Sequence, residues 1–180
     1  VGGASTQGSA AGLSIVYSEI DNQISAGVTG ARIAASSDVG VSATSNGSIS
    51  TVAVGVAISS RVGLAGSVAT NMMGTNVTSS ITGGADVLAT NNVGVLANNT
   101  DGIAVFAGAF AISTGSAGGA GSLVTNKIDG STSAFISGTG TKVDALGTSS
   151  TDTLSVNSGA LAHGFSVGSF QAPTDNTPNL

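Results

Sequence analysis

Apolar residues recur at every second position over long stretches of the chain, which is the spacing of extended strands and not of helices. Val52, Val54, Val56 and Ile58 share one face of a segment, and Phe106, Gly108, Phe110 and Ile112 share the corresponding face one repeat later. The opposite face carries Ala53, Gly55 and Ala57, then Val105, Ala107, Ala109 and Ala111. These are small and apolar where a solvated strand shows Thr, Lys or Glu. A strand apolar on both faces is normally covered on both. The Ala/Gly side therefore predicts a covering layer, either of the same chain, of a neighbouring protomer or of lipid.

The pattern repeats with a period of about 54 residues. Ile33-Ala34-Ala35 followed by Val39-Gly40-Val41 returns as Val87-Leu88-Ala89 followed by Val93-Gly94-Val95. Past one inserted residue, Gly66-Ser67-Val68-Ala69-Thr70-Asn71 is answered by Gly121-Ser122-Leu123-Val124-Thr125-Asn126. The last part occurs three times, as Ile20-Asp21 with Val28-Thr29-Gly30, Met73-Gly74 with Ile81-Thr82-Gly83, and Ile128-Asp129 with Ile136-Ser137-Gly138. Gly159 to Val167 can be laid over Gly102 to Phe110 as a degenerate fourth copy, which puts His163 at the place of Val52 and Phe106.

The chain thus divides into a flexible or capping segment over 1–9, a repetitive region over 10–170 and a polar tail or linker over 171–180. The copies fall at about 10–30 (partial), 31–84, 85–140 and 141–170 (degenerate). The tail holds both prolines, Pro173 and Pro178, so regular structure is expected to end near Phe170.

Thr44-Ser45-Asn46-Gly47-Ser48, Asn98-Asn99-Thr100-Asp101-Gly102 and Asn157-Ser158-Gly159 occupy matching places and read as turns, since Asn, Asp and Gly tolerate positive φ. Stacked corners of this kind would also let Asn side chains pair along the axis. The simplest fold is an all-β parallel β-solenoid, each 54-residue unit supplying two or three coils of about 18 to 27 residues. The alternative is an antiparallel β-sandwich or hairpin stack, with Val52 to Ile58 and Val62 to Ala69 closing through Ser59-Ser60-Arg61. A membrane barrel is disfavoured by the lack of an aromatic girdle, with no Trp and one Tyr.

Composition narrows the function classes. The 28 Gly, the 3% aromatic and the 7% charged content depart from an ordinary globular enzyme, while 41% hydrophobic residues argue against disorder. The absence of Cys removes disulfides and thiolate sites and is compatible with export. A net charge of −5, with Arg32, Arg61, Lys127 and Lys142 as the cations, offers no footprint for nucleic acid. No apolar run is long enough for a membrane-spanning helix. The opening at Val1, without Met or a basic leader, reads as a mature product or a piece of a larger protein.

The stretches Thr51 to Ile58, Gly66 to Asn71 and Ala134-Phe135-Ile136-Ser137-Gly138, with Asn/Gly-rich connections, resemble the repeat arrays of large filamentous adhesins. These are the leukotoxin-like and filamentous haemagglutinin-like exoproteins of Gram-negative two-partner secretion. The resemblance spans residues 10 to 170 and rests on small-residue texture and repeat length. It implies a right-handed β-helical shaft, extracellular or on the cell surface, with no catalytic residues to carry over. An export-signal domain of that family is not recognisable here, so the chain corresponds to a shaft segment.

The candidate chemical residues are assigned structural roles, with no catalytic, cofactor-binding or metal site and no cofactor. His163, the single imidazole, has no orienting partner near it in sequence. Asp38, Asp86, Asp101, Asp129, Asp144 and Asp152 are read as turn residues. Asp86 replaces Arg32, Asp101 replaces Gly47 and Asp129 replaces Gly74, so no acidic ladder persists. Gly138 to Asp144 lacks the tandem spacing of calcium nonapeptides, and Gly115 to Gly121 lacks the Lys-Ser/Thr of a phosphate loop. Asn46-Gly47-Ser48, Asn76-Val77-Thr78 and Asn98-Asn99-Thr100 match glycosylation sequons.

A solenoid leaves an unpaired strand edge at each end, and neither terminus carries an amphipathic cap. The expected function is a structural segment of an extracellular bacterial surface or fibre protein, serving as an adhesin shaft. The alternative is a subunit of a self-assembling homopolymeric filament, associating end to end or laterally. A polysaccharide-acting β-helix enzyme ranks third, because it needs clustered Asp, Arg or Lys. The host surface or matrix ligand is not specified by any motif.

Overall fold

The alternation of small and large residues produces strands of unusual length. The computed structural model describes residues 1–115 and 117–146 in full and the backbone of residues 154–167. In chain order the strands are β1 (Gly2–Thr6), β2 (Ala10–Thr29), β3 (Arg32–Ala35), β4 (Val39–Ser59), β5 (Val62–Thr82), β6 (Asp86–Ala89), β7 (Val93–Ser113), β8 (Ala117–Ile136), β9 (Lys142–Ala145) and β10 (Leu154–Val167). No helix occurs among the described residues.

The strands form three parallel sheets: sheet I with the order β1-β4-β7-β10, sheet II with β2-β5-β8, and sheet III with β3-β6-β9. Each circuit visits sheet I, then sheet II, then sheet III, and the next circuit lies on top of it in register. Ile33 pairs with Val87 and Val87 with Val143, while Val41 pairs with Val95 and Asn71 with Asn126. The fold is the parallel β-solenoid expected, and the copies align as the repeat predicts.

The coil size differs from expectation, because one 54-residue unit makes one coil and not two or three. The Asn/Ser/Gly clusters taken for turns lie inside strands: Thr44 to Ser48 belongs to β4 and Asn98 to Gly102 to β7, while Asn157 to Gly159 falls within β10. Polar composition mimicked turn chemistry there, whereas Ser45, Asn99 and Asp101 are in fact buried on an inward face. The true corners are at residues 30–31, 36–38 and 60–61 and their equivalents. Gly30, Gly83, Gly84, Gly138 and Gly140 take positive φ at the corners that enter sheet III, a conformation that a side chain disfavours.

The antiparallel hairpin alternative is excluded. β4 turns through Ser60-Arg61 into β5, but each pairs in parallel with its equivalents in the neighbouring coils, and the two strands face each other across the core. Residues 1–9, expected as a flexible or capping segment, hold a strand, in which Gly2–Thr6 pairs with Gly55 to Ser59. In β10 the register places His163 beside Gly102 and Val167 beside Phe106, four residues away from the sequence alignment. Phe170 and the tail with Pro173 and Pro178 lie outside the described residues.

The core is graded along the strands. At the sheet III end, Val41, Ile81, Val87, Val93 and Val95 fill a three-sided interior. Midway, Ile49, Met73 and Ile103 meet between sheets I and II. Near the Ser60-Arg61 corner the interior narrows to Ala10, Ala57, Ala65, Ala109 and Ala111 with the buried Ser59 and Ser67, and the sheets approach so closely that a Cβ on Gly55 would collide with the Gly66 carbonyl. Fully burying a Val or Ile side chain contributes about 1.5–3 kcal/mol. The wide end therefore carries most of the hydrophobic stabilisation, and the thin end depends on close backbone approach.

Candidate functional site

The covering layer predicted for the Ala/Gly face is supplied by the chain itself: Ala53 and Ala57 are fully buried against sheet II. The consequence is an inverted arrangement in which the bulky residues point outward. Val52 is 59% exposed and Phe106 47%, although a strand apolar on both faces was expected to be covered on both. They do stack on each other from coil to coil, but on the outer surface. The cause is steric, because two sheets this close admit only the small residues Ala, Gly and Ser between them.

On the outer face of sheet II the same corner is apolar. Leu13, Ile15, Leu64 and Leu123 are all more than half exposed. Leu13 lies beside Gly66 and Leu64 beside Gly119, where an added Cβ would stand 3.1 Å from each leucine's terminal methyl group. Both outer faces of the thin end are therefore apolar, and the corner between them carries the exposed Arg61.

The interior holds a polar belt midway along the strands. Thr51 donates to Asn71 Oδ1 (2.5 Å), and Asn71 Nδ2 donates to Asn126 Oδ1 in the next coil (3.0 Å). The axial Asn pairing expected at corners thus occurs inside sheet II. Asn99 Nδ2 donates to Asp101 Oδ2 (3.1 Å), and Asp101 is 1% exposed. Asp101 Oδ1, Asn99 Oδ1 and Thr75 Oγ1 have no hydrogen-bond partner. Asp101 fits because its neighbour one coil below is Gly47.

The other predicted positions are dispersed. Asp86 sits between Arg32 and Lys142 along sheet III, and its carboxylate is 3.5 Å from Arg32 Nε. Asp38 Oδ1 accepts from the Asn92 backbone N–H (2.9 Å) and from Asn92 Nδ2 (3.0 Å), tying two corners together. Asp144 lies on β9. Thr141, between Gly138 and Asp144, donates to the Ser137 carbonyl (2.8 Å) and accepts from the Gly84 N–H (3.1 Å). Gly115 meets the Ser60 backbone so closely that a side chain would clash. Asn46, Asn76 and Asn98 are exposed within strands. Asp152 and the His163 side chain lie outside the described residues. Among the described residues no three His, Asp or Glu converge as metal ligands, and no helix is long and apolar enough to cross a membrane.

One recess does gather charged groups. On the outer face of sheet II the row Asp21, Gly74, Asp129 runs along the axis, beside the row Glu19, Met72, Lys127. Gly74 separates the two aspartates in a recess of about 430 Å³ that Glu19, Met72, Asn76 and Lys127 also line. Lys127 Nζ is 3.0 Å from Asp129 Oδ2. The hydrogen bond from Lys127, that from the Gly130 N–H and the lysine's charge hold the Asp129 carboxyl below its ordinary value. Tyr17 donates to Glu19 Oε2 (2.6 Å), which raises the phenol above its ordinary value, with desolvation and the glutamate charge adding to the effect. The recess was not recognised from sequence. The signal was present, because Gly74 is the copy lacking the Asp of its two neighbours, but the outward direction of that row was not known.

No protein-family model, no curated protein and no solved structure matches the chain.

Proposed function

We propose that the chain is a structural segment of an extracellular surface or fibre protein of bacterial type, serving as the shaft of an adhesin. The observation that carries this reading is the coil-on-coil register. Each 54-residue unit adds one rung to an axis, and the two full rungs are hydrogen-bonded to each other along two long ladders, β4–β7 and β5–β8. Such a stack rises about 4.8 Å per coil and gains length without altering its cross-section, which suits a spacer. The resemblance of Thr51 to Ile58 and its repeats to filamentous adhesin arrays supports the extracellular placement.

The test is to delete one coil, residues 39–92, from the parent protein. Immunogold labelling of intact cells should place the protein at the surface. Attachment should survive the deletion, since the tip and not the shaft carries the ligand site. A protein confined to the cell interior, or attachment abolished by removing one interior coil from a correctly displayed protein, refutes the shaft reading.

A filament subunit is the second reading, favoured by the open strand edges. β1 covers only Gly55 to Ser59 of β4, so residues 39–54 have no strand on that side among the described residues. Electron microscopy separates the two readings. A filament subunit forms fibres whose length grows with concentration, while a shaft segment stays short.

A further inference from the structure

The outer face of sheet II runs from a corner with an exposed arginine to an acidic recess. Arg61 is exposed at the corner where this face begins, and along β5 the face then presents the apolar rows of Leu64, Gly66 and Val68, then Thr70 and Met72, then Gly74 in its acidic recess. Arg61 is exposed, and the salt bridges among the described residues, Arg32–Asp86 and Lys127–Asp129, do not include it. The recess holds three carboxylates, Glu19, Asp21 and Asp129, against the single ammonium of Lys127, so it carries net negative charge.

We propose that two copies of this chain pair laterally through this face, about a two-fold axis parallel to the solenoid axis. Rotation about such an axis reverses strand direction and leaves height unchanged. Arg61 of the middle coil then meets Gly74 of the partner's middle coil, the one rung where the side chain between Asp21 and Asp129 is missing. The midpoint of the two positions falls between Ser67 and Val68, so the Gly66 and Val68 rows, which include Leu13, Ile15 and Leu123, face their counterparts, and the Leu64 row faces the partner's Thr70 and Met72 rows.

The dimensions suit a reversible dimer. Thirteen residues at about 3.3 Å span about 43 Å, and three rungs at about 4.8 Å span about 14 Å. The face therefore offers about 600 Å² per copy, near the lower limit of specific interfaces, which bury about 800 Å² per partner at standard size. With so little area, the guanidinium–carboxylate contacts at the two ends set both register and affinity. A second copy accounts for the matched Arg and Gly, which a lipid surface does not. The pairing goes beyond the shaft reading and stands or falls separately from it.

Sedimentation velocity of the 180-residue chain across concentrations tests the pairing. The expected result is a monomer–dimer equilibrium that weakens with salt. Arg61→Glu should raise the dissociation constant by at least about tenfold, and adding Asp21→Arg to that variant should recover part of the loss. Leu123→Ser, on the exposed apolar row, should weaken pairing as well. Circular dichroism identical to the parent chain shows that each variant is folded. A wild-type chain that stays monomeric, an Arg61→Glu chain that dimerises undiminished, or binding to neutral lipid vesicles in place of dimerisation would overturn the proposal.

Discussion

Gly47 lies directly beneath Asp101 in adjacent rungs of sheet I, and a methyl group on Gly47 would stand 2.7 Å from Asp101 Oδ1 and 3.3 Å from Met73 Sδ. The buried carboxylate of one coil thus occupies the space left by the missing side chain of the coil below. Gly47→Ala should destabilise the chain by about 1–3 kcal/mol through overcrowding, read as a shift in the urea midpoint. In an Asp101→Ala background the same change should have a much smaller effect. Equal effects in both backgrounds would show that the two positions are not coupled.

The thin end of the section depends on backbone proximity. Gly55→Ala would drive a Cβ into the Gly66 carbonyl of the facing sheet, so a loss of about 3 kcal/mol or more is expected. Val52→Thr, one strand turn away on the exposed side, should change stability by about 0.5 kcal/mol or less. Chemical denaturation of the two variants provides the comparison, and the opposite ranking would contradict the assignment of inward and outward faces.

Asn71 is fully buried, accepts from Thr51 and donates to Asn126. Asn71→Ala removes both bonds and leaves the Thr51 hydroxyl without its closest acceptor. A destabilisation of about 1–3 kcal/mol follows from the cost of a buried unsatisfied group. Hydrogen exchange should show the loss of protection concentrated in β5 and β8.

Tyr17 is the single tyrosine in a chain without tryptophan, so its ionisation can be followed directly by ultraviolet absorbance. Its bond to Glu19 stabilises the protonated phenol and raises its pKa. The corresponding contribution to stability is fully present below the ordinary tyrosine value of about 10 and is lost as pH rises through the higher folded value. Glu19→Gln removes the charged acceptor and should lower the titration midpoint. A midpoint unchanged by that substitution would exclude the Glu19 bond as the cause.

Asp129 behaves in the opposite sense. Lys127 and the Gly130 amide favour its carboxylate, so their contribution is present above the ordinary Asp value of about 3.9 and is lost as pH falls through the lower folded value. Both side chains are more than half exposed, so the effect on global stability is small. Lys127→Met should raise the Asp129 midpoint, measured by carbon-detected NMR titration.

The repeat made much of this architecture legible. Matching Ile33 to Val87 and Gly66 to Gly121 by sequence reproduces their pairing in the sheets, because equivalent positions of a solenoid see equivalent neighbours. Coil length was harder to read. Asn99 and Asp101 look like turn residues, yet they point inward and bond each other, and no local propensity distinguishes a buried polar belt from a corner. The direction of Val52 and Phe106 was likewise hidden, since alternation identifies two faces without saying which is inside. That choice depends on the distance between sheets, which the Gly55–Gly66 approach sets. The Gly74 recess became visible only once Asp21 and Asp129 were known to flank it on the outer face.

The long ladders β4–β7 and β5–β8, which join one full coil to the next, have a mechanical meaning. Tension spread evenly over the stack is shared among all the backbone bonds of one interface. Across the core, sheets I and II are held by side-chain contact, which thins to alanine, glycine and serine at one edge. The molecule is therefore anisotropic, joined by backbone bonds along its axis and by side-chain packing across it, in the manner of a laminated strap.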